Sequence, residues 1–171
     1  MPKRCLAKGF DEVVMFTRVH DIKCALLWFW AVWLSVVVAT NGCDLLKHWT
    51  ILPAWWAFAS GNYAAVAKVT SVYPGSSWIS VLLFLGVIAW EGLAAILFWR
   101  AVVLWMRQRE PAYAAVNVAI AVSMSLWAAF LVAEEVYVDF SVSSTHRQLL
   151  ALSLLTLLVI HLLPEEVASK R

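Results

Sequence analysis

Apolar residues in this chain do not alternate with polar ones. They run in long blocks separated by short polar stretches. Four blocks stand out, at 24–40, 78–105, 113–133 and 143–163. Each offers roughly 17–25 usable residues, which at about 1.5 Å per residue covers a hydrocarbon core of about 30 Å. Lipid offers no hydrogen-bond partner to a bare backbone, and the runs are too long and uniform for barrel strands, so they must be helices. The pattern predicts an all-α membrane protein, a single domain built as a four-transmembrane-helix bundle.

The connections differ in kind. The turn 106–112 is short and basic, and Pro111 suits the first position of the third helix. A second short connection covers 134–142. The connection 41–77 is long, and its stretch "HWTILPAWWAFASGNYAAVAKV" is apolar but broken by Pro53 and Gly61. It is too interrupted for a fifth span and reads as an interfacial or re-entrant segment over one end of the bundle. At the N-terminus, residues 1–23 place Phe10, Val13, Val14, Phe16 and Val19 among charges. That spacing predicts a short amphipathic helix on the membrane surface, leading into the first span. Residues 164–171 form a short tail.

Charge sets the expected direction of threading. Lys3, Arg4, Lys8, Arg18, Lys23, Arg100, Arg107, Arg109, Lys170 and Arg171 fall on the side of the two termini. Only Lys47, Lys68 and Arg147 fall on the other. By the positive-inside rule both termini are expected in the cytoplasm, with the long connection outside. The segment "VVATNGCD" after the first block offers no A-x-A site, so that block is expected to stay as a span.

Composition agrees: 63% of the 171 residues are hydrophobic and only 14% are charged. A soluble domain of this size could not hide so much apolar surface. The net charge of +2 and the absence of a dense basic run exclude a nucleic-acid partner on electrostatic grounds. Cys5, Cys24 and Cys43 form no CxxC pair and sit at different depths, which makes a disulfide framework unsuitable. Of the eleven tryptophans, Trp28, Trp30, Trp49, Trp55, Trp56, Trp78, Trp99 and Trp105 lie near span ends, where an indole keeps its N–H wet. Trp33, Trp90 and Trp127 lie deeper.

One residue breaks the second block. Glu91 falls near its middle, and a carboxyl facing lipid would cost a few kcal/mol. It is therefore expected to face other helices. Arg100 is nine positions away, on the opposite side of the helix, and cannot pair with it. Ser35, Ser123, Ser125, Ser153 and Thr156 lie at similar depth in the other spans and are the expected donors, while Gly92, Ala94 and Ala95 allow close approach. The reading preferred here is a neutral acid that joins helices. A proton or ion site is the alternative.

Asp44, His48, Glu134, Glu135, Asp139 and His146 fall on the same expected outer side. Asp44 and His48 are four apart and share a helical face, a spacing able to offer two ligands to a divalent metal. No HExxH or paired-Cys pattern accompanies them, so a solvated rim is the default. Of the four histidines, His20 and His48 fall outside the apolar blocks, and His146 and His161 lie near opposite ends of the fourth. That arrangement does not shield a haem. No cofactor is expected, and no catalytic spacing stands out.

Several of these features resemble the bacterial four-span family described only as predicted small integral membrane proteins, of unknown function. The residues that carry the likeness are "NYAAVAKV" (62–69) followed by "VYPG" (72–75), the acidic Glu91 in the second span, and "AEEVYVDF" (133–140) followed by Arg147. Thr70, Ser71 and Val72 stand where that family has a Met-Asp-Thr segment. The resemblance implies a small helical module of the bacterial inner membrane. Size, the lack of catalytic spacing and the Trp-rich surface together predict a non-catalytic accessory or structural subunit, associated with other membrane proteins or with itself. The alternative is a small transport or redox protein using Glu91 or the outer histidines.

Overall fold

The computed structural model describes residues 3–164, with side chains for 19–75 and 77–164. The helices are α1 (Lys3–His48), α2 (Asn62–Thr70), α3 (Ser76–Met106), α4 (Ala112–Tyr137) and α5 (Ser143–Leu162). Four stretches are long and apolar enough to cross a bilayer: Val19–His48, Ser77–Met106, Ala112–Tyr137 and Ser143–Leu162. The chain is an integral, multi-pass helical bundle.

One expectation about α1, its end at Thr40, needs correction. Its backbone runs as one helix from Lys3, so residues 3–18 are helical and continuous with the span. The side chains of the proposed amphipathic stripe before Val19 lie outside the described residues, as does the tail from residue 165 on. At its other end, α1 continues eight residues past Thr40, through Asn41 and Gly42, to His48. These turn-prone residues stay helical because the inward stripe continues through Asn41, Asp44 and Leu45, which are all buried.

Successive spans run antiparallel: α1 packs on α3, α3 on α4 and α4 on α5, while α5 touches α1 to close the ring. The core follows from helical spacing. Leu27, Trp30, Ala31 and Leu34 form the stripe of α1, meeting Ala94, Ala95, Phe98, Ala101, Val102 and Trp105 of α3. From α4 come Ala115, Val116, Ala119 and Ile120, and from α5 Ile160. Alanines at these contacts let backbones approach, as in other membrane helix pairs. Aromatic rings fill the wider gaps: Trp30 stacks on Phe98 at 5.9 Å, and Trp33 meets Trp127 at 6.0 Å. Outward positions such as Leu82, Ile96, Val118 and Leu155 are apolar and exposed. That is the inverse of a soluble bundle and suits lipid.

Trp30 and Trp105 depart from the interfacial role expected of tryptophans near span ends, since both are buried in the core. Trp30 finds a polar partner there by donating its Nε1–H to Thr156 Oγ1 of α5 at 2.9 Å.

The α1–α2 loop and the α4–α5 connection sit at one end of the bundle, the loop end. The α3–α4 turn sits at the other, the turn end. Beyond His48 the chain doubles back along α1. The Ser60 N–H donates to Thr40 O at 3.2 Å, about two turns below the end of α1. α2 then climbs beside the loop-end half of α3, with Thr70 and Ser80 sharing a hydrogen bond of 2.6 Å.

Candidate functional site: the buried acid and the loop-end cleft

Glu91 lies halfway along α3, on the same stripe as Ala94, Ala95 and Phe98, and is only 4% exposed. Its partner is an amide. Asn41 of α1 donates its Nδ2–H to Glu91 Oε2 at 2.7 Å, and Asn62 of α2 donates its Nδ2–H to Asn41 Oδ1 at 2.9 Å. Three helices are thus tied by two hydrogen bonds in series. Asn41 is buried and Asn62 is exposed, so the series runs from the interior to the surface.

None of the five hydroxyls expected to hold Glu91 bonds it: four have other partners and Ser123 has none among the described residues, so this part of the sequence reading is corrected. Ser35 donates to Ala31 O at 2.7 Å and accepts from Trp99 Nε1 at 3.0 Å. Ser125 donates to Val122 O at 2.8 Å, Ser153 to Leu149 O at 2.8 Å and Thr156 to Leu152 O at 2.9 Å. Ser123 is buried, with no partner among the described residues. A serine or threonine in a helix satisfies itself on the carbonyl one turn back, so equal depth does not make it a donor to a neighbour. Asn41 cannot do so as readily. It was legible as a candidate, because it falls seven residues after Leu34 on the stripe that begins at Leu27.

The polar residues at the loop end divide into separate groups. In the first, Asp44 Oδ2 accepts the Tyr63 N–H at 2.7 Å and the Ser60 Oγ–H at 3.2 Å, and Tyr63 OH lies 3.0 Å from His48 Nε2. α2 begins after Gly61, which has no side chain to cap it. Asp44 supplies that cap from α1.

In the second, Glu134 of α4 bonds Ser143 Oγ and His146 Nδ1 of α5, the latter at 2.6 Å, and the imidazole stacks on Phe130. This joins α4 to α5. The serine bonds the carboxylate and not the imidazole, so the three do not form a nucleophile–base pair.

Glu135 stands exposed. Asp139 accepts the Ser141 N–H at 3.0 Å, and this backbone bond, followed by the Ser141 hydroxyl and Lys68, holds its carboxyl below the usual value. The six residues considered as an outer metal cluster are therefore not brought together. Among the described residues no group of three or more His, Cys, Asp or Glu is placed to hold a metal ion.

At the turn end, Lys23 is missed by sequence reasoning as anything but a basic flank. It is fully buried, donates to Leu163 O at 2.8 Å, and lies 5.8 Å from the Trp105 ring and 5.9 Å from the Tyr113 ring. It binds the end of α5 to α1 through charge, aromatic faces and a terminal carbonyl. His161 and Asn117 pair beside it at 2.7 Å.

One cleft opens at the loop end, of ≈ 390 Å³, lined by Asp44, Lys47, His48, Pro53, Tyr63 and Ala64 among others. Lys47, one of these residues, donates to Trp56 O at 3.1 Å. No protein family, characterised protein or solved structure matches the chain.

Proposed function

We propose that this integral membrane protein is a non-catalytic accessory or structural subunit, acting in a larger membrane assembly or as a homo-oligomer. The observation that carries the reading is the bond between Asn41 and Glu91. The one acid that sequence places inside a span has an amide partner on the neighbouring helix, an arrangement that joins helices. The other polar candidates are engaged alike: Asp44 caps α2, and Glu134 binds α4 to α5. The resemblance to small four-span proteins of the bacterial inner membrane belongs to this proposal. So do cytoplasmic termini, with the loop end facing outward, on the strength of the basic-residue bias.

A transport role through Glu91 is the competing reading. It is favoured by the exposed position of Asn62 at the end of the Glu91–Asn41–Asn62 series. Purification from native membranes in mild detergent separates the two. A stoichiometric partner or a defined oligomer supports the subunit reading. A lone protomer that catalyses proton- or ion-coupled flux after reconstitution overturns it.

A further inference from the structure

Beyond the α2 cap made by Asp44 and the bond from Lys47 to Trp56 O, the loop-end cleft keeps bonding capacity that no structural role above uses. It is lined by Asp44, Lys47 and His48, whose imidazole lies beside the Tyr63 ring, together with Leu52, Pro53 and Ala54 among others. Both bonds made by Asp44 end on Oδ2, and no partner reaches Oδ1 among the described residues. Lys47 uses one N–H on Trp56 O, and an ammonium has three. Groups of opposite sign thus line one cleft with bonding capacity to spare. Its volume falls within the range of about 300–1,000 Å³ usual for small-molecule sites.

The surroundings set the depth at which this cleft lies. Residues 49–67 carry no charge at all. Trp49, Trp55, Trp56 and Phe58 are exposed there, Trp55 at 78%. Exposed indoles belong at the headgroup level of a bilayer. The cleft therefore opens where lipid headgroups are, and not far out in water.

From these observations we propose that the cleft binds a zwitterion carrying a primary ammonium and a phosphate, with the phosphoethanolamine headgroup of a bilayer lipid as its source. The ammonium donates to Asp44 Oδ1, close to the carbonyl end of α1, where the helix dipole favours positive charge. The phosphate accepts from Lys47 and from the imidazole of His48. A choline headgroup cannot donate a hydrogen bond to Asp44, and a glycerol headgroup offers no cation. The inference stands apart from the subunit reading, because a lipid site serves a subunit and a transporter equally.

The test places the full chain in nanodiscs containing equal phosphatidylethanolamine, phosphatidylcholine and phosphatidylglycerol, and reads retained lipid by native mass spectrometry. The expected result is preferential retention of phosphatidylethanolamine. Asp44→Asn keeps an oxygen for the Tyr63 N–H while removing the charge, and Lys47→Ala leaves the α2 cap untouched. Each is expected to lower that preference about tenfold, with unchanged helical circular dichroism. Equal retention of the three lipids, or a preference unaltered in both variants, overturns the proposal. Soluble glycerophosphoethanolamine is titrated as a separate arm. Binding of that compound without lipid preference would overturn the bilayer lipid as the source.

Discussion

Asn41 and Glu91 meet across the α1–α3 contact, amide to carboxylate, at 2.7 Å, with both side chains buried. A glutamine at position 91 still presents an oxygen to Asn41. Glu91→Gln is therefore expected to cost less than about 1 kcal/mol and to leave assembly intact. Asn41→Leu strands the carboxyl without its donor and is expected to cost about 1–3 kcal/mol. Thermal unfolding in detergent, followed by circular dichroism, ranks the two. The order reversed would mean that the charge at 91 matters and the bond does not.

Capping across helices gives a local readout. With Gly61 unable to cap α2, Asp44→Ala leaves the first turn without an acceptor, at a cost of about 0.5–2 kcal/mol. Hydrogen–deuterium exchange is expected to speed up in Asn62–Thr70 while α4 and α5 stay protected. Unchanged exchange in α2 would show that its N-terminus is held by something other than Asp44.

Lys23 closes the ring at the turn end. Lys23→Met keeps the apolar stem but removes the donor to Leu163 O. The expected result is increased mobility at the end of α5, seen as faster exchange near His161, with the α1–α3 contact undisturbed. A variant as protected there as the parent would indicate that the ammonium contributes nothing to the closure.

Asp139 provides a titration outside the spans. Its carboxyl is held below the usual aspartate value chiefly by the Ser141 N–H. A depressed acid stabilises the fold above its unfolded pKa and loses that contribution as pH falls through the folded one. The turn after α4 is thus expected to loosen only at acid pH, below the range in which free aspartates titrate. Carbon-13 detection of the side-chain carboxyl checks this, and a midpoint at or above the ordinary value would contradict it.

The spans were legible because hydrocarbon thickness dictates their length, and no soluble fold needs such runs. The inward orientation of Glu91 followed from the cost of facing lipid. Its partner did not. Depth alone pointed to hydroxyls such as Ser153 and Thr156, yet each bonds the carbonyl one turn behind it. Reading Asn41 as part of a loop hid the actual donor, because Asn-Gly is a turn signal in water and the buried stripe overrode it here. Lys23 was hidden for a related reason. Counting basic residues for orientation treats each as solvated, whereas this one is packed between Trp105 and Tyr113. Which loop residues fold back onto α1 depends on long-range bonds such as Ser60 N–H to Thr40 O, which no local pattern encodes.

The acid inside the second span is bonded to Asn41, so that α3 is tied to α1. A double-mutant cycle over Asn41→Ala and Glu91→Ala, read by unfolding in one detergent, tests it most directly. The two changes together are expected to cost less than their sum, with a coupling of about 0.5–2 kcal/mol. Strict additivity would contradict it.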